Sequence, residues 1–183
     1  MRVAFTGAAG TGKTSVAKSI VKSAVNDSLK YTILGVDSRQ LLSLLGLSQT
    51  SQIKTSYYRV FQTMYLGQKI ILEDNNKKFL TERSYADCLA YWRLHCSESA
   101  TNDENEFIES LCYKNIYKYD FHFFYPNGYL KLEQDGFRNP SLEYHKKYEK
   151  ELLKIYEEWK IERIEMPLTN IKERTRFVLD YLS

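Results

Sequence analysis

Residues 7–14 read Gly7-Ala8-Ala9-Gly10-Thr11-Gly12-Lys13-Thr14. Two glycines separated by four residues and followed by Lys-Thr are the types and spacing that hold a polyphosphate. The glycines free the backbone so that successive N–H groups turn inward toward phosphate oxygens. Lys13 reaches the β- and γ-phosphates, and Thr14 offers a hydroxyl to Mg²⁺. Ser15 carries the run into a helix whose positive N-terminal end adds to the attraction. The alternative is a chance Gly-rich turn. Its setting argues against that, because the apolar run Arg2–Thr6 precedes it and the helical stripe Val16, Ala17, Ile20, Val21, Ala24 follows it. Gly7 to Ser15 are therefore expected to bind the phosphates of a nucleoside triphosphate with Mg²⁺.

Three more groups of charged residues stand where apolar runs end. Asp37-Ser38-Arg39 follows Tyr31–Val36. Asp37 either takes a proton from a substrate hydroxyl, joins the Mg²⁺ shell, or caps the next helix. Arg39 is a candidate substrate contact or a solvated helix residue. Glu82-Arg83-Ser84 follows Lys78–Thr81. Glu82 is a candidate for the metal or the acceptor, and Arg83 for neutralising charge on a transferred phosphoryl group. The other reading is a surface ion pair with Ser84 as a helix cap. Asp87, three residues beyond Ser84, has capping-box spacing and is equally a candidate substrate contact. Asp135-Gly136-Phe137-Arg138 lies in a long loop, where an arginine can close over phosphates. His145-Lys146-Lys147 reads as a solvated face. His95 and His122 lack metal-ligand spacing and read as structural.

The elements that must position these groups alternate. Strands are expected at 2–6, 31–36, 78–81, 119–125 and 160–166. A long helix over 56–76 carries Val60, Phe61, Met64, Ile71 and Leu72, and Tyr85, Cys88, Leu89 and Trp92 mark the next. Asp103 and Glu106 have capping-box spacing ahead of a helix with Phe107, Ile108 and Leu111. Helices over 141–160 and 169–182 close the chain. This pattern predicts an α/β domain with a parallel sheet whose strand C-termini share one edge. One domain is expected over 1–183, with a lid at about 126–150. No apolar run approaches the length of a membrane span. The chain enters its first strand at once, so no signal peptide is expected. Cys88, Cys96 and Cys112 lack metal spacing and read as buried thiols of a cytoplasmic protein. A net charge of +3 is too small to argue for nucleic-acid binding.

With these pieces in order, the chain resembles P-loop nucleoside and nucleotide kinases, above all the AAA-type family typified by the ribosylnicotinamide kinase domain of NadR. The resemblance rests on Gly7–Thr14, Asp37-Ser38-Arg39, Gln68 with Glu73, Glu82-Arg83 with Asp87 and Tyr91 beyond, and Asp135-Gly136-x-Arg138. Glu82-Arg83-Ser84 is also similar to the Glu-Arg-Ser element of deoxynucleoside kinases. The resemblance implies a three-layer P-loop fold with five parallel strands in the order 2-3-1-4-5. It also implies an ATP donor, Mg²⁺, a mobile lid, and substrate contacts from Gln68. Ser38 stands where ribosylnicotinamide kinases carry tyrosine, and Glu82 where they carry aspartate.

The expected activity is transfer of the γ-phosphoryl group of ATP to a small nucleoside or nucleoside monophosphate. Lys13, Asp37, Arg83 and Arg138 are the expected catalytic residues, and Thr14, Asp37 and Glu82 the expected Mg²⁺ residues. A hydroxyl acceptor needs a base, for which Asp37 is the candidate. A phosphate acceptor needs only clamps from Arg39, Arg83 and Arg138. A polynucleotide acceptor and a nucleotide-switch module are the other readings. The chain lacks the Asn-Lys-x-Asp and Asp-x-x-Gly motifs of the latter. The 53–76 helix is a possible dimer face.

Overall fold

The computed structural model describes residues 1–23, 30–48, 52–128 and 141–182. Five strands, β1 (Arg2–Thr6), β2 (Thr32–Leu34), β3 (Phe79–Glu82), β4 (Phe121–Phe124) and β5 (Ile164–Glu165), pair in parallel in the order β2-β3-β1-β4-β5. Between them run α1 (Lys13–Ser23), α2 (Ser38–Leu44), α3 (Thr55–Asp74), α4 (Tyr85–His95), α5 (Asn102–Ile116) and α6 (Leu142–Glu158), and α7 (Ile171–Leu182) ends the chain. The expected strand order is the observed one.

Alternation along the strands divides the core in two. Val3, Phe5, Leu80 and Phe123 point to one face, where they pack with Val16, Ile20 and Val178 of α1 and α7. Ala4, Phe79 and Phe124 point to the other, against Leu89, Trp92, Leu152 and Ile155 of α4 and α6. A period of two buried on both sides is what a parallel sheet covered by helices requires.

Three sequence expectations need correction. The buried face of α3 is Phe61, Tyr65, Leu66, Lys69 and Glu73, while Val60, Ile71 and Leu72 are exposed. Two charged residues occupy core positions there and disguise the stripe. The box at the start of α5 is Thr101 with Glu104, each side chain bonded to the other's backbone, rather than Asp103 with Glu106. β5 begins at Ile164 because residues 160–161 finish α6. Lys160 adopts φ 52° and donates to Glu157 O, and Ile161 N donates to Tyr156 O, the paired closure of a helix C-terminus.

His122 lies buried on β4, its Nδ1 3.0 Å from the Tyr156 hydroxyl. Burial pushes its imidazole down to about 4 from 6.5. The folded protein thus holds it neutral where the unfolded chain would protonate it. The resulting stability is complete above pH 6.5 and is lost as pH falls toward 4. The loss approaches about 3 kcal/mol. Urea midpoints measured across this window should fall with pH, and His122→Gln should flatten the slope. An unchanged slope would mean that another group governs acid lability.

Candidate active site

The register places Phe5 opposite Glu82 and Thr6 opposite Phe124, so the loop after β1 lies between the ends of β3 and β4. Gly7, Gly10 and Gly12 have φ of 122°, 77° and 89°. A Cβ at Gly7 would stand 2.4 Å from the Tyr125 carbonyl oxygen, so only glycine fits this close approach. Lys13 is buried and arches over the loop. Its Nζ donates to Gly7 O at 2.9 Å, to Thr11 Oγ1 at 3.1 Å, and to Ala8 O. The Thr14 hydroxyl donates to Glu82 Oε2 at 2.7 Å. That contact unites two expected metal residues from α1 and β3.

Asp87 is fully buried and gathers donors from three elements. Its Oδ2 accepts from Thr6 Oγ1 at 2.5 Å, Ser84 N at 2.6 Å and Ser84 Oγ at 2.8 Å. Its Oδ1 accepts from Gly7 N at 3.2 Å and from the Tyr148 hydroxyl at 2.5 Å. The capping box with Ser84 is formed. With its oxygens committed inside the core, Asp87 ties the phosphate loop to α4 and α6, and its substrate-contact reading gives way to that role.

Arg83 leaves β3 with φ 74°, a left-handed conformation rare outside glycine. Its N–H donates to Phe5 O at 2.8 Å. Its guanidinium lies 4.8 Å from the Tyr91 ring centre, and Nη1 reaches the Tyr148 hydroxyl at 3.4 Å and Asp87 Oδ1 at 3.8 Å. Beyond it Tyr58 stacks on His95 at 4.6 Å, His95 Nε2 meets the Tyr144 hydroxyl at 2.8 Å, and Tyr91 packs on Tyr148 at 4.6 Å. Burial raises the hydroxyls of Tyr58, Tyr91 and Tyr144. Burial, aided by Lys147, lowers His95 below its ordinary range. The cluster joins rings, whose hydroxyls stay protonated, to one cation at its inner end.

A family model described as an AAA domain matches residues 2–174. The chain belongs to this AAA-domain family. No curated protein matches its sequence. Among solved structures, the AAA domain is similar to deoxyadenosine kinase from M. mycoides, with a TM-score of 0.67 at 12% identity over 100% of this chain and 98% of that one. It is similar to the NadR protein in complex with NAD and AMP-PNP, with a TM-score of 0.64 at 16% identity over 99% of this chain and 49% of that one. It is also similar to thymidylate kinase from Ehrlichia chaffeensis, with a TM-score of 0.60 at 14% identity over 100% of this chain and 98% of that one. The AAA domain has the fold of P-loop nucleoside and nucleotide kinases.

Other expected site residues of the AAA domain fall differently. Asp37 is exposed and caps α2, accepting from Arg39 N at 2.9 Å and Gln40 N at 3.2 Å, both on Oδ1. Arg39 is exposed on α2, and Gln68 is half-buried on α3. Glu73 is buried and accepts from Lys69 and the Tyr119 hydroxyl. Asp135 and Arg138 lie outside the described residues, as do residues 129–140 of the expected lid. Residues 142–150 are the start of α6, and His145 is buried rather than solvated. No described helix is long and apolar enough to cross a membrane. Cys88, Cys96 and Cys112 are free and buried, as expected.

Arg174 was not expected at the site. It is buried on α7, and its Nη1 donates to Thr11 O at 2.8 Å and its Nε to Pro167 O at 2.9 Å. It braces the phosphate loop from the side opposite Asp87. Nothing local in the sequence marks it, since its partner lies across the whole chain.

Proposed function

We propose that this AAA domain is an ATP-dependent kinase that transfers the γ-phosphoryl group to a small nucleoside or nucleoside monophosphate. The observation that carries this reading is the contiguity of three parts. The loop with Lys13 has the glycines and the lysine a triphosphate needs, Thr14 and Glu82 meet beside it, and the next residue, Arg83, lies against a cluster of aromatic rings. The similar structures include proteins described as kinases of deoxyadenosine and thymidylate, which supports the reading.

The residues fit the expected ligands. Glycines at positive φ give the close backbone approach a polyphosphate needs. Thr14 and Glu82 supply hard oxygen donors of the kind Mg²⁺ takes alongside water and substrate phosphates. When bound, that ion would shield the charge of the triphosphate. Lys13 neutralises the charge on the transferred group, and the loop amides orient it. Arg83 faces the same group from the acceptor side. Catalysis by such a set is positioning and charge neutralisation. Asp37, whose capping bonds fall on one oxygen, takes the proton from a hydroxyl acceptor through the other.

A panel of nucleosides and nucleoside monophosphates incubated with ATP and Mg²⁺ tests this directly. A phosphorylated product formed together with ADP is the expected result. ATP hydrolysis stimulated by none of them would overturn it. Asp37→Asn then separates acceptor types, because asparagine caps a helix as well as aspartate does. With a hydroxyl acceptor it should lower turnover by about 10²- to 10⁴-fold at unchanged thermal stability. With a monophosphate acceptor most of the rate should survive.

A further inference from the structure

We propose that Lys69 is a positioning residue for Arg83. The inference rests on the reading above, in which Arg83 faces the transferred phosphoryl group. Lys69 sits in the last two turns of α3 and is 2% exposed. An ammonium buried this deeply is costly unless its three protons are all received. Here they are. Nζ donates to Glu73 Oε1 at 2.5 Å, to Thr81 Oγ1 at 3.0 Å and to the Arg83 carbonyl oxygen at 2.6 Å. The rings of Tyr85 and Tyr119 flank it at 5.2 Å and 5.9 Å from their centres. Glu73 is itself buried and fixed by the Tyr119 hydroxyl.

The bond to Arg83 falls where the backbone most needs it. Arg83 holds φ 74°, which a non-glycine residue keeps only when its surroundings impose it. Two bonds do so. Phe5 O takes the Arg83 N–H from the neighbouring strand, and Lys69 Nζ grips the Arg83 carbonyl from the helix. Together they fix the direction in which the Cα–Cβ bond leaves the chain. That direction lays the guanidinium over Tyr91 and within reach of the Tyr148 hydroxyl. Ser84 N–H, the other end of the same peptide, donates to Asp87 Oδ2 at 2.6 Å. Without the ammonium that peptide keeps only this one anchor and tilts about it, and the guanidinium shifts off the ring. Lys69 thus acts through Arg83 and touches neither donor nor acceptor.

The test removes the pair together, Lys69→Met with Glu73→Gln, so that no single charge is left buried. Glutamine keeps an acceptor for Tyr119. An arginine Nε–H held over a tyrosine ring resonates upfield of its free position. In ¹H–¹⁵N spectra of the unmodified protein the Arg83 signal, assigned by its absence from Arg83→Lys, should be so shifted. In the paired variant it should return to the free value. In ATP assays with the most active nucleoside of the panel, kcat should fall about ten- to a hundredfold. The KM for ATP should stay within about twofold, since the loop is untouched. If the paired variant does not fold, Lys69→Gln with Glu73→Gln is read in the same way. An Arg83 signal unmoved by loss of Lys69 overturns the proposal whatever the rate does. A signal that moves while kcat does not upholds the positioning and removes Arg83 from the chemistry.

Discussion

Lys13→Met should lower turnover by about 10³-fold and leave the protein folded, because a pre-placed cation on a transferring phosphoryl group is worth that much. Methionine matches the length and apolar stem of lysine but brings no charge. The variant gives up three bonds, to Gly7 O, Ala8 O and Thr11 Oγ1. Thr11 Oγ1 still donates to Ala8 O, and Arg174 still holds Thr11 O, so the loop retains two braces. The urea midpoint should therefore move by no more than about 1 kcal/mol in equivalent stability. Lys13→Arg tests geometry apart from charge. A planar guanidinium cannot occupy the position of a compact ammonium, and its turnover should fall about 10²-fold. Steady-state rates with ATP, beside urea unfolding of each variant, check both expectations. Turnover of Lys13→Met within about tenfold of the parent would mean that the loop does not carry the reacting phosphates.

What could be seen in the sequence divides by the range of the forces involved. The phosphate loop and the Ser84–Asp87 box were legible because each closes on itself within a few residues. The four longer strands were legible in position, since apolar runs between helical stripes have few other uses in an α/β chain. β5 was misread because Lys160 adopts a left-handed turn that sequence does not announce. The face of α3 was misread because Lys69 and Glu73, charged in the sequence, neutralise each other at core positions. In the sequence Glu73 stands out only as a point of resemblance. Arg174 bonds a carbonyl 163 residues away, and no local pattern encodes such a pairing. Asp87 is the instructive case, since its spacing showed the cap but not the four other donors, which reach it from β1, the loop, Ser84 and α6.

Those donors make Asp87 the residue whose loss should cost the fold most. Asp87→Ala leaves Thr6 Oγ1, Ser84 Oγ, Ser84 N, Gly7 N and Tyr148 OH without their acceptor in a buried place. It also leaves the Arg83 guanidinium without its carboxylate. Breaking a buried charged network in this way costs about 3–5 kcal/mol. That is a large share of the roughly 5–15 kcal/mol a domain has. Asp87→Asn should not rescue it. Both carboxylate oxygens only accept, and an amide turns one of them into a donor facing other donors. Urea unfolding of the two variants should show similar losses. Tyr148→Phe should cost much less alone and almost nothing further on top of Asp87→Ala, because the partners share one interaction. A loss below about 1 kcal/mol for Asp87→Ala would mean the network is not held in solution. The consequence for function follows from which N–H the carboxylate receives. Gly7 is the first glycine of the phosphate loop, and it cannot take a side chain against Tyr125. Freed from Asp87, it loses the anchor that aims the loop amides. Surviving folded Asp87→Ala protein should therefore show a raised KM for ATP, whereas Tyr148→Phe should leave that KM near the parent's.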